Sequence, residues 1–269
     1  MDFIIYDLEF NQDFSPAKAH RERDKGCGSK SGSSSVSGSG NGRGNEIRPC
    51  FEIIQIGAVK LDERLNRTAE LNRYVKPSIY PEVSPFITEL TGITTEHLST
   101  EAYFPDIYQE FIGFSSSETP VLCVWGMADL KEFYRNIEFH GLDKKQMPRN
   151  YMNLQLYVSQ HFGLPKGRSL KLSTAAELLK IPLIHPFHNA FYDAYYTAEI
   201  LRKIYDSSIQ PAIYDPDDKP THQRAPKKII DFAKLIDQFE KMYDRSLTEQ
   251  ERQMILLAYK MGKTRQFMK

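Results

Sequence analysis

The chain opens on Met1-Asp2-Phe3-Ile4-Ile5-Tyr6-Asp7-Leu8-Glu9-Phe10, an apolar, β-prone run with acids set into its far end. That pattern predicts a buried strand. A second run, Phe51-Glu52-Ile53-Ile54-Gln55-Ile56-Gly57-Ala58-Val59-Lys60, predicts another, and a third follows near Ala69 to Val75, ahead of Lys76-Pro77. No helix-length segment separates the three, so they are expected to form an antiparallel meander. Ser84 and Pro85 then open a short helix that runs through Leu90 and is closed by Gly92, and Thr100 to Phe114 has helical amphipathicity. Val121-Leu122-Cys123-Val124-Trp125 is apolar throughout, as in a strand buried on both faces. Helices are expected over Ala128 to His140, Leu154 to Phe162, Ser169 to Leu179 and Ala190 to Tyr205, with a short strand over Tyr151 to Leu154. This alternation of strand and helix predicts an α/β fold.

Two stretches interrupt the pattern. Residues 15–49 hold eight Ser and seven Gly with almost no aliphatic side chains, a composition that cannot bury enough apolar area to offset its ordering entropy. A flexible insertion is expected there. Its seven basic residues against three acidic ones leave open either a solvated loop or a loose arm that attracts phosphate. Residues 206–226 carry four prolines among polar residues and are expected to link to a further part. In 227–269, Ile229, Phe232, Ala233, Ile236, Phe239 and Tyr243 recur at helical spacing, and Ser246-Leu247-Thr248-Glu249 suggests a capping box before one more helix. This basic extension could be a helical hairpin docked on the main domain or an arm for nucleic acid.

Composition excludes little beyond this. Lys plus Arg and Asp plus Glu both number 35, so the whole-chain charge does not mark a nucleic-acid binder, although net charge hides distribution. Three cysteines without metal-type spacing point to reduced thiols. No apolar run approaches membrane-spanning length and no basic leader precedes the first strand, so a soluble cytoplasmic protein is expected, with no membrane partner.

The acids carry the candidate chemistry. Because side chains alternate faces along a strand, Asp7 and Glu9 share one side and Leu8 points to the other. Two carboxylates held that close raise each other's pKa, and a divalent metal is the obvious partner for such a pair. Asp129 stands at the first turn of the helix that follows Trp125-Gly126, where the helix dipole alone would also favour an acid. Within one helix, His188 and Asp193 would point about 140° apart. They can converge if Asp193 lies in the first turns of the helix and His188 on the Pro186-containing loop before it. An imidazole beside carboxylates is suited to general-base chemistry, and an ordinary surface-loop histidine is the alternative.

Asp7-Leu8-Glu9, an acid soon after Trp125-Gly126, and His188-x-x-x-x-Asp193-Ala194 resemble the three motifs of the DEDDh 3′-to-5′ exonucleases. Glu52 to Ala58 and Leu90-Thr91-Gly92-Ile93-Thr94 are also similar to that family, and the likeness is strongest to its Eri-like branch, whose members act on RNA 3′ ends. The resemblance covers residues 1 to about 205 and implies a ribonuclease H-like mixed sheet with an antiparallel first three strands and flanking helices. On that reading residues 1–205 are an exonuclease domain interrupted by 15–49, residues 206–226 a linker, and residues 227–269 a helical extension. Asp7, Glu9, Asp129 and Asp193 would bind two Mg²⁺ or Mn²⁺ ions, which prefer such hard oxygen ligands, and His188 would be the general base. The partners implied are the 3′ ends of single-stranded RNA or DNA. Leu90 and Thr91, with Phe86, would lie against the terminal nucleotide, unless they only pack the core. A DNA-directed exonuclease, or a nucleic-acid-binding protein without turnover, are the competing readings.

Overall fold

The computed structural model describes residues 1–12, 49, 51–165, 167–206, 209–218 and 232–263. The chain divides into two compact units, Met1–Asp217 and Asp218–Lys269. The expected insertion, apart from Pro49, lies outside the described residues, as do residues 207–208 and 219–226 of the expected linker.

The first unit is built on a six-stranded mixed sheet of order β3-β2-β1-β4-β5-β6. Its strands are β1 (Asp2–Gln12), β2 (Phe51–Leu61), β3 (Arg67–Tyr74), β4 (Pro120–Val124), β5 (Asn150–Asn153) and β6 (Ala212–Ile213). The first three form the expected antiparallel meander. β4 pairs parallel to β1 and β5 parallel to β4, so β1 lies in the middle of the sheet. The helices are α1 (Pro85–Thr91), α2 (Thr95–Leu98), α3 (Phe104–Ser115), α4 (Ala128–Phe139), α5 (Leu154–His161), α6 (Leu172–Leu178) and α7 (Ala190–Ile204).

Period-two alternation in β1 sorts the core into two layers. Ile4, Tyr6 and Leu8 face α3 and α4, where Phe104, Phe111 and Phe133 close around them. The Tyr6 ring meets those of Phe111 and Phe133 edge-on, at centroid distances of 5.5 and 5.7 Å. Phe3 and Ile5 face the other way and pack with Ala198 and Leu201 of α7. Asp7 and Glu9 continue this second row, so the strand carries its acids toward α7.

A bulge interrupts the β1–β2 ladder, where Glu9 pairs with Gln55 but Phe10 pairs with Ile53. The extra residue, Ile54, belongs to neither layer. It packs with Val83, Ile87, Ile93 and Leu98 and so seats α1 and α2 beside the end of β1.

Several boundaries differ from those expected. α3 begins at Phe104 rather than Thr100 because Pro105, which lacks an N–H, fits only the first turn of a helix. The residues just before it are extended, and Ala102 O accepts from Lys76 N at 2.8 Å. α2, with Thr94 Oγ1 capping the His97 N–H, was not expected. β4 stops at Val124, before Trp125, ahead of the positive-φ turn at Gly126. β6 lies within the stretch expected to be a linker and pairs antiparallel with β5, so the sheet takes in part of it.

The second unit contains α8 (Phe232–Tyr243) and α9 (Glu249–Lys263). The capping box forms two residues later than expected, with Thr248 Oγ1 accepting from Glu251 N and the Glu251 carboxylate accepting from Thr248 N. Glu240 of α8 pairs with Arg252 of α9 at 2.9 Å and closes the hairpin. Among the described residues, no helix of either unit is long and apolar enough to cross a membrane.

Phe133 makes ring contacts with Tyr6, Phe104, Tyr108 and Phe111 and is fully buried. Phe133→Ala is expected to lower the unfolding free energy by about 3–5 kcal/mol, measured by urea denaturation. A loss below about 1 kcal/mol would show that this aromatic cluster is not the core.

Candidate active site

Asp7 and Glu9 on β1 and Asp193 on α7 each offer a carboxylate oxygen, and the three oxygens lie within 4.8 Å of one another. This proximity depends on β2. Gly57 is the cross-strand partner of Asp7, and a Cβ on it would stand 2.1 Å from the backbone nitrogen of Phe191 and 2.2 Å from the carbonyl carbon of Ala190. Only a residue without a side chain lets the first turn of α7 rest on the sheet there. Gln55, the partner of Glu9, then fixes the turn. Its Oε1 accepts from Ala190 N at 3.2 Å, and its Nε2 donates to Asn72 Oδ1 at 3.0 Å. Asn189 caps the helix by accepting from the N–H groups of Phe191 and Tyr192.

Asp193 sits one turn into α7, buried, with Oδ2 accepting from the backbone N–H of His188 at 3.1 Å. His188 is exposed and adopts a left-handed conformation with φ of 63°, which turns its N–H back toward the helix. His188 and Asp193 thus converge through the loop, with the backbone making the contact. Tyr196, one turn beyond Tyr192, anchors the same loop. Its hydroxyl donates to His185 O and accepts from His185 N, while the Phe187 ring stacks on it at 4.8 Å. Asp129 is buried in the first turn of α4.

The electrostatics bind the four acids into one system. Burial pushes Glu9 up to about 8, helped by the charges of Asp193 and Asp129. Burial likewise lifts Asp129 to about 7, partly opposed by a hydrogen bond from its own backbone N–H. Asp193 rises to about 6 by burial, against the His188 hydrogen bond. Asp7 is raised well above the carboxylate range by burial and then by Asp129, Asp193 and Glu9. Asp129 therefore acts on the cluster although its oxygens are not among the three closest. Among the described residues, no Lys or Arg forms an ion pair with any of these acids. Asp193 Oδ1 is buried and has no hydrogen-bond partner. An all-oxygen donor set, closely spaced and short of positive charge, fits a divalent cation of the Mg²⁺ or Mn²⁺ type.

The apolar candidates divide. Ile87 is the face of α1 that packs inward, whereas Phe86 and Leu90, one turn apart, are exposed. The Thr91 hydroxyl is engaged at the helix end, donating to Ile87 O and accepting from Ile93 N. Gln55, Gly57 and Asn189 were not singled out in the sequence. A glycine inside an otherwise continuous strand is the one signal that could have revealed the close approach.

A mixed α/β sheet of ribonuclease H-like architecture thus carries an acidic candidate metal cluster on its central strand. The family model described as Exonuclease (RNase T) matches residues 45–201. The chain belongs to this family. The match starts at residue 45, within the last residues of the expected insertion, and β1 joins it structurally as the partner of β2. The chain is 30% identical over 161 residues to the PolC-type DNA polymerase III of Caldanaerobacter subterraneus subsp. tengcongensis, across 57% of this chain and 10% of that protein. It is 24% identical over 181 residues to the 3′-5′ exonuclease crn-4 of Caenorhabditis elegans, across 60% of this chain and 58% of that protein. The chain therefore spans about a tenth of the first relative and less than two thirds of the second. In fold it is similar to the nuclease domain of 3′hExo, a DEDDh family member bound to rAMP, with a TM-score of 0.59, 19% identity, and coverage of 80% of this chain and 96% of that one. The corresponding values for CRN-4 are 0.54, 21%, 75% and 62%.

Without metal, the raised carboxyls make folding proton-dependent. As pH rises above about 4, the unfolded chain releases these protons while the native state keeps them until pH 6 to 8, so stability falls across that window. In EDTA, Tm is expected to be lower at pH 8 than at pH 5, and Mn²⁺ to raise it more at pH 8. A metal response that is equal at the two values would argue against an acidic cation site.

Proposed function

We propose that the protein is a metal-dependent 3′-to-5′ exonuclease that releases nucleoside monophosphates from the 3′ ends of single-stranded nucleic acid, with RNA preferred to DNA. The observation that carries the reading is the convergence of Asp7, Glu9 and Asp193 within 4.8 Å, with Asp129 in the same electrostatic system. The RNA preference rests on the sequence likeness to the Eri-like branch and agrees with the fold relative that was bound to rAMP. In domain terms, residues 1–205 make up the exonuclease domain around the 15–49 insertion, the 206–226 stretch adds β6 to its sheet before linking onward, and residues 227–269 are a helical extension. A cytoplasmic setting completes the proposal.

Asp7, Glu9, Asp129 and Asp193 would hold two Mg²⁺ or Mn²⁺ ions. When bound, the ions supply positive charge that makes a water acidic and offsets the charge that builds on phosphate oxygens. His188, on its exposed loop, takes the proton of the attacking water at an imidazole nitrogen. Asp193 accepts from the His188 backbone N–H, which ties the loop that carries the histidine to one of the acids. Phe86 and Leu90 offer an apolar surface to the terminal base, and Thr91 closes the helix that presents them.

Purified protein with Mn²⁺ and 5′-labelled single strands of RNA and DNA is expected to give a ladder shortened from the 3′ end, faster on RNA. Asp193→Ala should abolish the ladder while circular dichroism and gel filtration stay unchanged, because the same substitution removes a ligand and relieves repulsion. Near-normal trimming by the variant would refute the site.

His188→Ala should lower kcat by about 10²- to 10⁴-fold and leave single-strand affinity and the Mn²⁺ thermal shift near those of the parent. Retained kcat with lowered Tm would assign His188 to loop packing alone.

A further inference from the structure

We propose that Glu52 and Asn11 are positioning residues that set α1, and with it Phe86 and Leu90, at a fixed place relative to the acids. This rests on the reading that α1 meets the terminal nucleotide.

The two residues are cross-strand partners on β2 and β1 and are almost fully buried. No Lys or Arg among the described residues pairs with Glu52. A buried carboxylate without a cation persists only where several donors converge on it. Here they come from one loop. Glu52 Oε1 accepts from the N–H and hydroxyl of Ser78 and from Ile79 N at 2.7 Å, and Oε2 accepts from Tyr80 N at 2.7 Å. Asn11 takes the next stretch. Its Nδ2 donates to Tyr80 O at 3.0 Å and Glu82 O at 2.9 Å, and its Oδ1 accepts from Ser84 N at 3.2 Å. Ser84 is the residue that immediately precedes α1 and has no side-chain capping bond of its own. The loop from Ser78 to Ser84 is thus tied, almost residue by residue, to two side chains.

The strand that carries Asn11 also carries Asp7 and Glu9. Any shift of α1 relative to the acids would therefore break bonds to β1 or to its partner strand. The Ile54 bulge adds an apolar seat for Ile87 of the same helix. A loop needed only to close the fold could use water for these N–H groups. Fixing them all on one carboxylate and one amide instead defines the distance between the surface that receives the base and the groups that handle the phosphate. Glutamine cannot replace Glu52, since its NH₂ would face N–H donors in place of an acceptor.

The test compares the parent with Glu52→Gln and Glu52→Asp in steady-state trimming of a labelled single strand and in anisotropy binding of that strand in Ca²⁺. For Glu52→Gln, KM and the anisotropy Kd are expected to rise about tenfold or more. Saturated kcat should stay within about twofold and the Mn²⁺ thermal shift should be kept. Glu52→Asp retains an all-acceptor group and should recover part of the loss. If Glu52→Gln does not fold, the same split in Glu52→Asp decides. Lowered Tm with unchanged KM and Kd, or failure of both variants to fold, would assign Glu52 to stability and overturn the proposal. A parent that neither binds nor trims any strand would overturn the proposed function itself, which is a different result from an active parent matched by its variants.

Discussion

The acidic site depends on how close the backbone of α7 comes to the backbone of β2. A helix that covers a sheet is normally held off by the side chains between them, and its first turn could not then share ligand atoms with a strand. Gly57 removes that spacer beside Asp7, and the peptide of Ala190 and Phe191 occupies the space. From that one contact follow the reach of Asp193 to β1, the capping of α7 by Asn189 and the return of the His188 loop over the helix end. The amide of Gln55 turns proximity into register, since it bonds to Ala190 N and to Asn72 at once.

That closeness has an electrostatic consequence. Asp7, Glu9, Asp129 and Asp193 are taken out of water and set in each other's fields, so each holds its proton to a higher pH than a free carboxyl would. The surrounding core must hold these groups together against repulsion. It does so with two apolar layers on either side of β1, one rich in rings from α3 and α4 and the other formed by α7. The same strand thus runs through the core between both layers and carries two of the charges.

Much of this was legible from residue order. The alternation in Phe3 to Glu9 gave the faces of β1, because period two admits only one assignment once the apolar positions are buried. The meander, the α/β class and the helices over 128–140 and 190–205 also followed from pattern. The misses have local causes. Ser246-x-x-Glu249 and Thr248-x-x-Glu251 both satisfy the capping pattern, and only the helix that forms selects the second. Pro105 moved a helix start that amphipathicity had placed too early. β6 is two residues long and owes its existence to the exposed edge of β5, which no local signal reveals. Gln55 and Asn189 act on each other across more than a hundred residues, so neither had a visible partner in the sequence.

The joint between β1 and β2 bears on how such a chain can vary. Gln12 and Phe51 are register partners, so the two ends of whatever lies between them are held at the spacing of adjacent strands. Closing a longer segment between fixed ends adds entropy cost only with the logarithm of its length. Sequence can be gained, lost or exchanged there with little strain on the acids a few residues away. The joint is therefore a natural grafting point, at which length and charge can change beside the site without rebuilding the sheet.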